Sequence, residues 1–206
     1  MTLAVPPPPP TDLGPMPKVF CIGFNKTATS SVLQAFRILG LGPAASPKTL
    51  PGDQSLTRCA LEGDFRPLVE AARPYRCFKD RPWNVGDCYK AMDQAFPGSR
   101  FVLTVRDEDA WWRSVQSWLV NVKPHLLQLY FRHLKVGELT REAFVGGLRR
   151  RDAEIRAHFT GRDALLELDP SSDHAWADLC GFLGTPVPEG PFPHTNRQTY
   201  LPVSPE

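Results

Sequence analysis

The sequence has no apolar run approaching the roughly 20 residues that a membrane-spanning helix needs. It also lacks the basic-then-apolar N-terminal pattern of a secretory leader, so a cytoplasmic protein without a membrane partner is expected. Net charge is scarce: +2 over 206 residues is too little to hold a nucleic acid by bulk electrostatics, and anion recognition has to be local. The five cysteines, Cys21, Cys59, Cys77, Cys88 and Cys180, are odd in number and form no C-x-x-C pair. That argues against a disulfide framework and against a zinc site, and no metal is expected. One further absence is local. A lysine and threonine follow the first strand, but the glycines of the triphosphate loop G-x-x-x-x-G-K-[ST] do not precede them, which weakens a nucleotide-triphosphatase reading.

A 42% hydrophobic content over this length suits one domain with a core of its own. Residues 1–17 hold seven of the 22 prolines, including the block Pro6 to Pro10, and read as an extended leader. Residues 18–197 form the expected α/β domain, and 198–206 a tail. Apolar runs at Val19–Ile22, Tyr75–Phe78, Phe101–Val105 and Ala164–Leu168 predict four buried strands. Helical periodicity lies between them, at 32–39, 53–62, 65–72, 85–96, 107–119, 126–134, 140–159 and 173–183. The alternation predicts a parallel sheet of four to five strands with helices on both faces and a P-loop-like strand-turn-helix at the N-terminus. Leu41 to Pro51 reads as a loop. The tryptophans Trp111, Trp112 and Trp118 read as core packing, and the run Arg149-Arg150-Arg151 as a solvated face.

The stretch from Lys18 to Gly40 carries the clearest chemistry. Asn25, Lys26, Thr27, Thr29, Ser30 and Ser31 combine a cation, four hydroxyls and the free amides of a helix start, the composition of a phosphate-type anion site. Helix capping alone, at about 1 kcal/mol per cap, accounts for the same Ser and Thr residues. Two further charged turns follow strands: Lys79-Asp80-Arg81-Pro82-Trp83-Asn84, and Arg106-Asp107. In open parallel sheets, ligands bind outside those strand ends.

In order and spacing these three turns resemble the sulfotransferases that use 3′-phosphoadenosine 5′-phosphosulfate (PAPS). The resemblance runs from Lys18 to about Arg197, and it includes the chain end L-C-G-F-L-G-T-P-V-P-E-G-P-F-P-H-T-N from Leu179 to Asn196. It implies that Asn25, Lys26, Thr27, Ala28, Thr29 and Ser30 cradle the 5′-phosphosulfate, in place of the family's P-K-[ST]-G-T-[ST]. It likewise implies that Arg106 and Ser114 hold the 3′-phosphate, with Arg197 closing over it. Eight residues across the strand-to-helix junction would leave Ser114 about 10 Å along the helix, so this pairing rests on the resemblance alone. Ala28 stands where the family has glycine, so a positive φ there would strain the turn.

By the same resemblance, Lys26 stabilises the leaving oxygen. The base falls at Asp80, two residues before Pro82, where relatives have histidine. None of the five histidines occupies that position, and His194 lies in the tail beside Asn196 and Arg197. The implied activity is transfer of a sulfuryl group from PAPS to a hydroxyl or amine of a small-molecule or glycan acceptor. The alternatives are a catalytically silent binding module of the same fold, or a small-molecule kinase, which would need the missing phosphate loop and an acidic magnesium ligand.

Overall fold

The structure, a computed structural model, describes residues 17–47, 49–120 and 122–195. Among them, five strands pair in parallel in the order β2-β3-β1-β4-β5: β1 Val19–Cys21, β2 Ala44–Ala45, β3 Cys77–Lys79, β4 Arg100–Thr104 and β5 Leu165–Leu168. The helices are α1 Thr29–Ile38, α2 Asp53–Glu62, α3 Arg66–Ala72, α4 Cys88–Ala95, α5 Glu108–Leu119, α6 Pro124–Leu134, α7 Arg141–Phe159 and α8 Ala175–Leu183. The expected α/β architecture is present. The strand missing from the sequence reading is β2, which lies inside the stretch read as a loop. Two alanines carry no periodicity, and their strand character comes from pairing with Cys77 and Phe78.

Alternation along the strands sorts two cores. Val19, Cys21, Cys77, Val102 and Leu168 face α1 and α8, against Val32, Phe36, Trp176 and Leu179. Phe20, Ile22, Phe78, Phe101 and Leu103 face the other way, against Leu68, Met92, Ile155 and Phe159 from α3, α4 and α7. A third cluster joins Phe24, just past β1, to α5, α6 and α7 through Trp111, Tyr130 and Phe144.

The centre of the second face is a ladder of rings. Phe20 is paired in register with Phe78 on one side and Phe101 on the other. Its ring stacks on theirs at centroid distances of 4.0 and 5.2 Å. Cross-strand aromatic contacts add to the area they bury, and these three fix the lateral order β3-β1-β4 on which the site depends. Replacing Phe20 by Ala is expected to cost about 3–5 kcal/mol. Urea unfolding should report this as a lower midpoint at an unchanged slope.

Candidate active site

Because β1 lies between β3 and β4, the turns after these three strands come together at the C-terminal edge of the sheet. The turn after β1 is built from close packing. At Gly23 a β-carbon would lie 1.7 Å from Thr104 Oγ1, so only glycine lets β1 run this close to β4. Phe24 is buried among the α5 to α7 aromatics, and Trp111 Nε1 donates to Asn25 O at 3.0 Å. Trp111 is thus both core and anchor of the turn, a role that its helical spacing does not disclose. Thr27, buried, donates its hydroxyl to Phe24 O at 2.6 Å. That leaves Thr104 Oγ1, 2.5 Å away, as the donor to Thr27.

Lys26 and Ala28 both have positive φ, 73° and 63°. Ala28 therefore adopts the left-handed backbone that the sequence comparison raised for the family's glycine position, and the strain sits in the turn itself. Ala28 is also the N-cap of α1, and no side chain caps the helix. The hydroxyls that capping would require are used elsewhere among the described residues. Thr27 turns to Phe24, Thr29 to Asp80 and Ser31 to Thr195. The side-chain cap that the sequence allowed for α1 is therefore not made. Ser31 N–H donates back to Ala28 O at 2.9 Å, so the amides of Thr29 and Ser30 are the ones that find no acceptor within α1, and the positive end of the helix dipole lies at this turn.

The turn after β3 is tied to the first. Asn84, buried, donates through Nδ2 to Gly23 O at 3.2 Å and to Asn25 Oδ1 at 3.4 Å, while its own N–H donates to Asp80 O at 3.2 Å. Asp80 has a φ of 59°. Its Oδ1 accepts from Thr29 Oγ1 at 3.0 Å, and its Oδ2 lies 2.8 Å from the Lys79 ammonium. Lys79 Nζ also donates to Ser30 Oγ at 3.2 Å, from a side chain that is 11% exposed. Arg81 turns away to Asp53 at 3.6 Å. Burial pushes the Asp53 carboxyl up, and Arg81 opposes the shift.

On the third turn, Asp107 caps α5 by accepting from Ala110 N at 2.8 Å, and Arg106 Nη1 donates to Lys26 O at 3.1 Å. Arg106 therefore joins the lysine turn. Ser114 does not: it is buried on α5, and no hydrogen bond joins it to Arg106 among the described residues. The C-terminal segment returns to the same place, with Thr195 N–H donating to Ser31 Oγ at 3.2 Å. Arg197 lies outside the described residues, and His194 is exposed.

Beneath the turns lies a group that the sequence reading placed in solvent. Arg149 is on the surface, paired with Glu108, but the Arg151 side chain is only 10% exposed. Its Nη1 pairs with Asp152 at 2.7 Å, and its Nη2 donates to Ile22 O and to Asn84 O, the latter at 3.4 Å. Burial pushes the Asp152 carboxyl up, with Arg151 opposing. Position 151 continues the spacing of Phe144, Leu148, Ile155 and Phe159, and that register is the sequence signal that marked it as internal. Nearby, burial holds the His133 imidazole well below its usual range, with Arg151 adding to the effect. Burial, and then the Asp80 carboxylate, push the Tyr130 phenol up.

The protein is thus an α/β fold whose central parallel strand ends in a left-handed, lysine-bearing turn and an uncapped helix, with a carboxylate and an arginine brought in from the flanking strands. The sulfotransferase domain family matches residues 18–201, and the chain belongs to that family. It is also similar to a protein of Aspergillus versicolor, Ava biosynthesis cluster protein M. The two are 25% identical over 231 aligned positions, covering 89% of this chain and 85% of the relative. Among the described residues no helix is long and apolar enough to cross a membrane.

Glycine at position 28 removes a left-handed penalty of about 1–2 kcal/mol and adds freedom to the unfolded chain worth somewhat less. Ala28→Gly is therefore expected to stabilise the protein by about 1 kcal/mol, a rise in thermal midpoint of about 3 °C by calorimetry.

Proposed function

We propose that the protein moves a sulfuryl group from PAPS to a hydroxyl or amine of a small-molecule or glycan acceptor. The observation that carries this reading is the convergence of Lys26, Asp80 and Arg106 on the uncapped start of α1. The amides there, together with the hydroxyls of Thr29 and Ser30, suit a phosphosulfate, while the buried Thr27 hydroxyl is spent on Phe24 O and braces the turn from inside; membership of the sulfotransferase family supports that donor. Arg106, with Ser114 and Arg197, is assigned to the 3′-phosphate. Ser114 is the weakest of these, since its burial would require α5 to shift for the contact to form. The relative's name associates it with a biosynthesis cluster, which accords with a small-molecule acceptor.

The donor supplies a sulfur joined to a good leaving group, the 5′-phosphate oxygen. As the acceptor oxygen bonds to sulfur and the bond to the bridging oxygen breaks, adenosine 3′,5′-bisphosphate leaves with the electron pair. Lys26 stabilises the charge that gathers on that oxygen. Asp80 accepts the acceptor's proton, which passes afterwards to solvent. No metal enters the scheme.

A second reading has one observation in its favour. Both Asp80 oxygens are already engaged, by Thr29 and Lys79, as they would be in a binding module that has lost its base. Nucleotide binding without transfer to any compound of a hydroxyl and amine library would select this reading.

Calorimetry on the purified chain is expected to detect binding of adenosine 3′,5′-bisphosphate, weakened about tenfold or more by Lys26→Ala and by Arg106→Ala. No binding by the parent chain would sink the nucleotide assignment. With an acceptor found by screening with sulfate-labelled donor, Asp80→Asn should lower turnover by about two to four orders of magnitude while the nucleotide still binds. A loss below tenfold would remove Asp80 as the base.

A further inference from the structure

The Lys79 side chain is unexplained by the scheme above. It ends β3 pointing to the first turn of α1, and little of it reaches solvent. A buried ammonium at the positive end of a helix dipole is unfavourable unless an anion lies between them. Here that anion is Asp80. Its carboxylate takes the Thr29 hydroxyl through Oδ1 and the Lys79 ammonium through Oδ2, and Lys79 reaches on to Ser30 Oγ. Thr29 and Ser30 are the hydroxyls assigned to the donor's 5′ end. The carboxylate and the incoming anion thus draw on the same donors.

Resting on the sulfotransferase reading, we propose that Lys79 is a second cation of the donor site, with Asp80 as the internal counter-ion that the donor's 5′-phosphate group displaces. Thr29 has one hydroxyl hydrogen, so it cannot serve Asp80 and a phosphate oxygen together through that hydrogen. Lys79 has three donors, two of them directed at Asp80 and Ser30, and it can exchange one anion for another without moving far. Two anions side by side in a half-buried site repel, so the carboxylate turns out as the phosphate enters. Once released from Thr29 and Lys79, it has lone pairs open to an acceptor hydroxyl. Donor binding therefore frees the base, and the order donor first, acceptor second follows from the contacts.

The test is calorimetry on the full chain with two probes. Adenosine 3′,5′-bisphosphate carries the 5′-phosphate, and adenosine 3′-monophosphate lacks it. Asp80→Asn keeps the shape of the side chain but removes the competing charge, and it is expected to bind the bisphosphate about tenfold more tightly than the parent. Lys79→Met should bind the bisphosphate about tenfold or more weakly. Neither change should move monophosphate affinity beyond about twofold, within ordinary measurement spread. If Lys79→Met fails to fold, Lys79→Met combined with Asp80→Asn leaves no unpaired charge, and it should bind the bisphosphate more weakly than Asp80→Asn alone. The inference is overturned if Asp80→Asn binds the bisphosphate no more tightly than the parent, or if loss of Lys79 weakens both probes alike. A parent chain that binds neither probe overturns the sulfotransferase reading, and this inference with it.

Discussion

Where neighbouring parallel strands separate to open a crevice, the last carbonyls lose their partners in the sheet, and in a buried position each must find another donor. At the ends of β1 and β3 this is met from below by Arg151, whose guanidinium serves Ile22 O and the Asn84 carbonyl of the next turn, and from the side by Asn84 Nδ2 on Gly23 O. A guanidinium suits the task because its donors lie in one plane at fixed angles, so two carbonyls from different strands are held in one geometry. Asp152 balances the charge within the same helix. These bonds tie the base of the left-handed lysine turn to that of the Asp80 turn, and the contacts of Phe24, Trp111 and Thr104 complete the support of the first.

The aromatic ladder and the arginine act on different scales. Phe78, Phe20 and Phe101 set which strands are neighbours. Arg151 and Asn84 set how the neighbours part. Together they allow three residues, Lys26, Ala28 and Asp80, to keep left-handed conformations that are costly for side chains bearing a β-carbon.

β1, β3 and β4 could be read from the sequence because burial on both faces leaves apolar runs, and the helices because their apolar stripes are regular. β5 was expected to be buried too, but it lies at the sheet edge with Leu168 buried and Glu167 exposed, since one side of an edge strand has no neighbour. β2 could not be read, since Ala44 and Ala45 acquire strand geometry only from β3. At the site, the lysine turn, the aspartate and the arginine were each visible as charge placed at a strand end. What joins them was not. The contact between Lys79 and Ser30 spans 49 residues and that between Arg106 and Lys26 spans 80, and both exist only because β1 inserts between β3 and β4. Arg151 was hidden for a different reason: two exposed arginines beside it mask a residue whose helical register points inward.

Thr104 bears on how such a turn can change over time. Its side chain fills the hollow above Gly23, and its hydroxyl holds Thr27. Positions 23, 27 and 104 therefore form one unit spread over two strands and a turn. A larger residue at 23 requires a smaller one at 104, which in turn leaves Thr27 without its donor. Drift at any of the three is tolerated only as a concerted change. In descendants of this chain the lysine turn should vary more freely at position 28 than at 23 and 27, since the latter two pack against Thr104 on another strand.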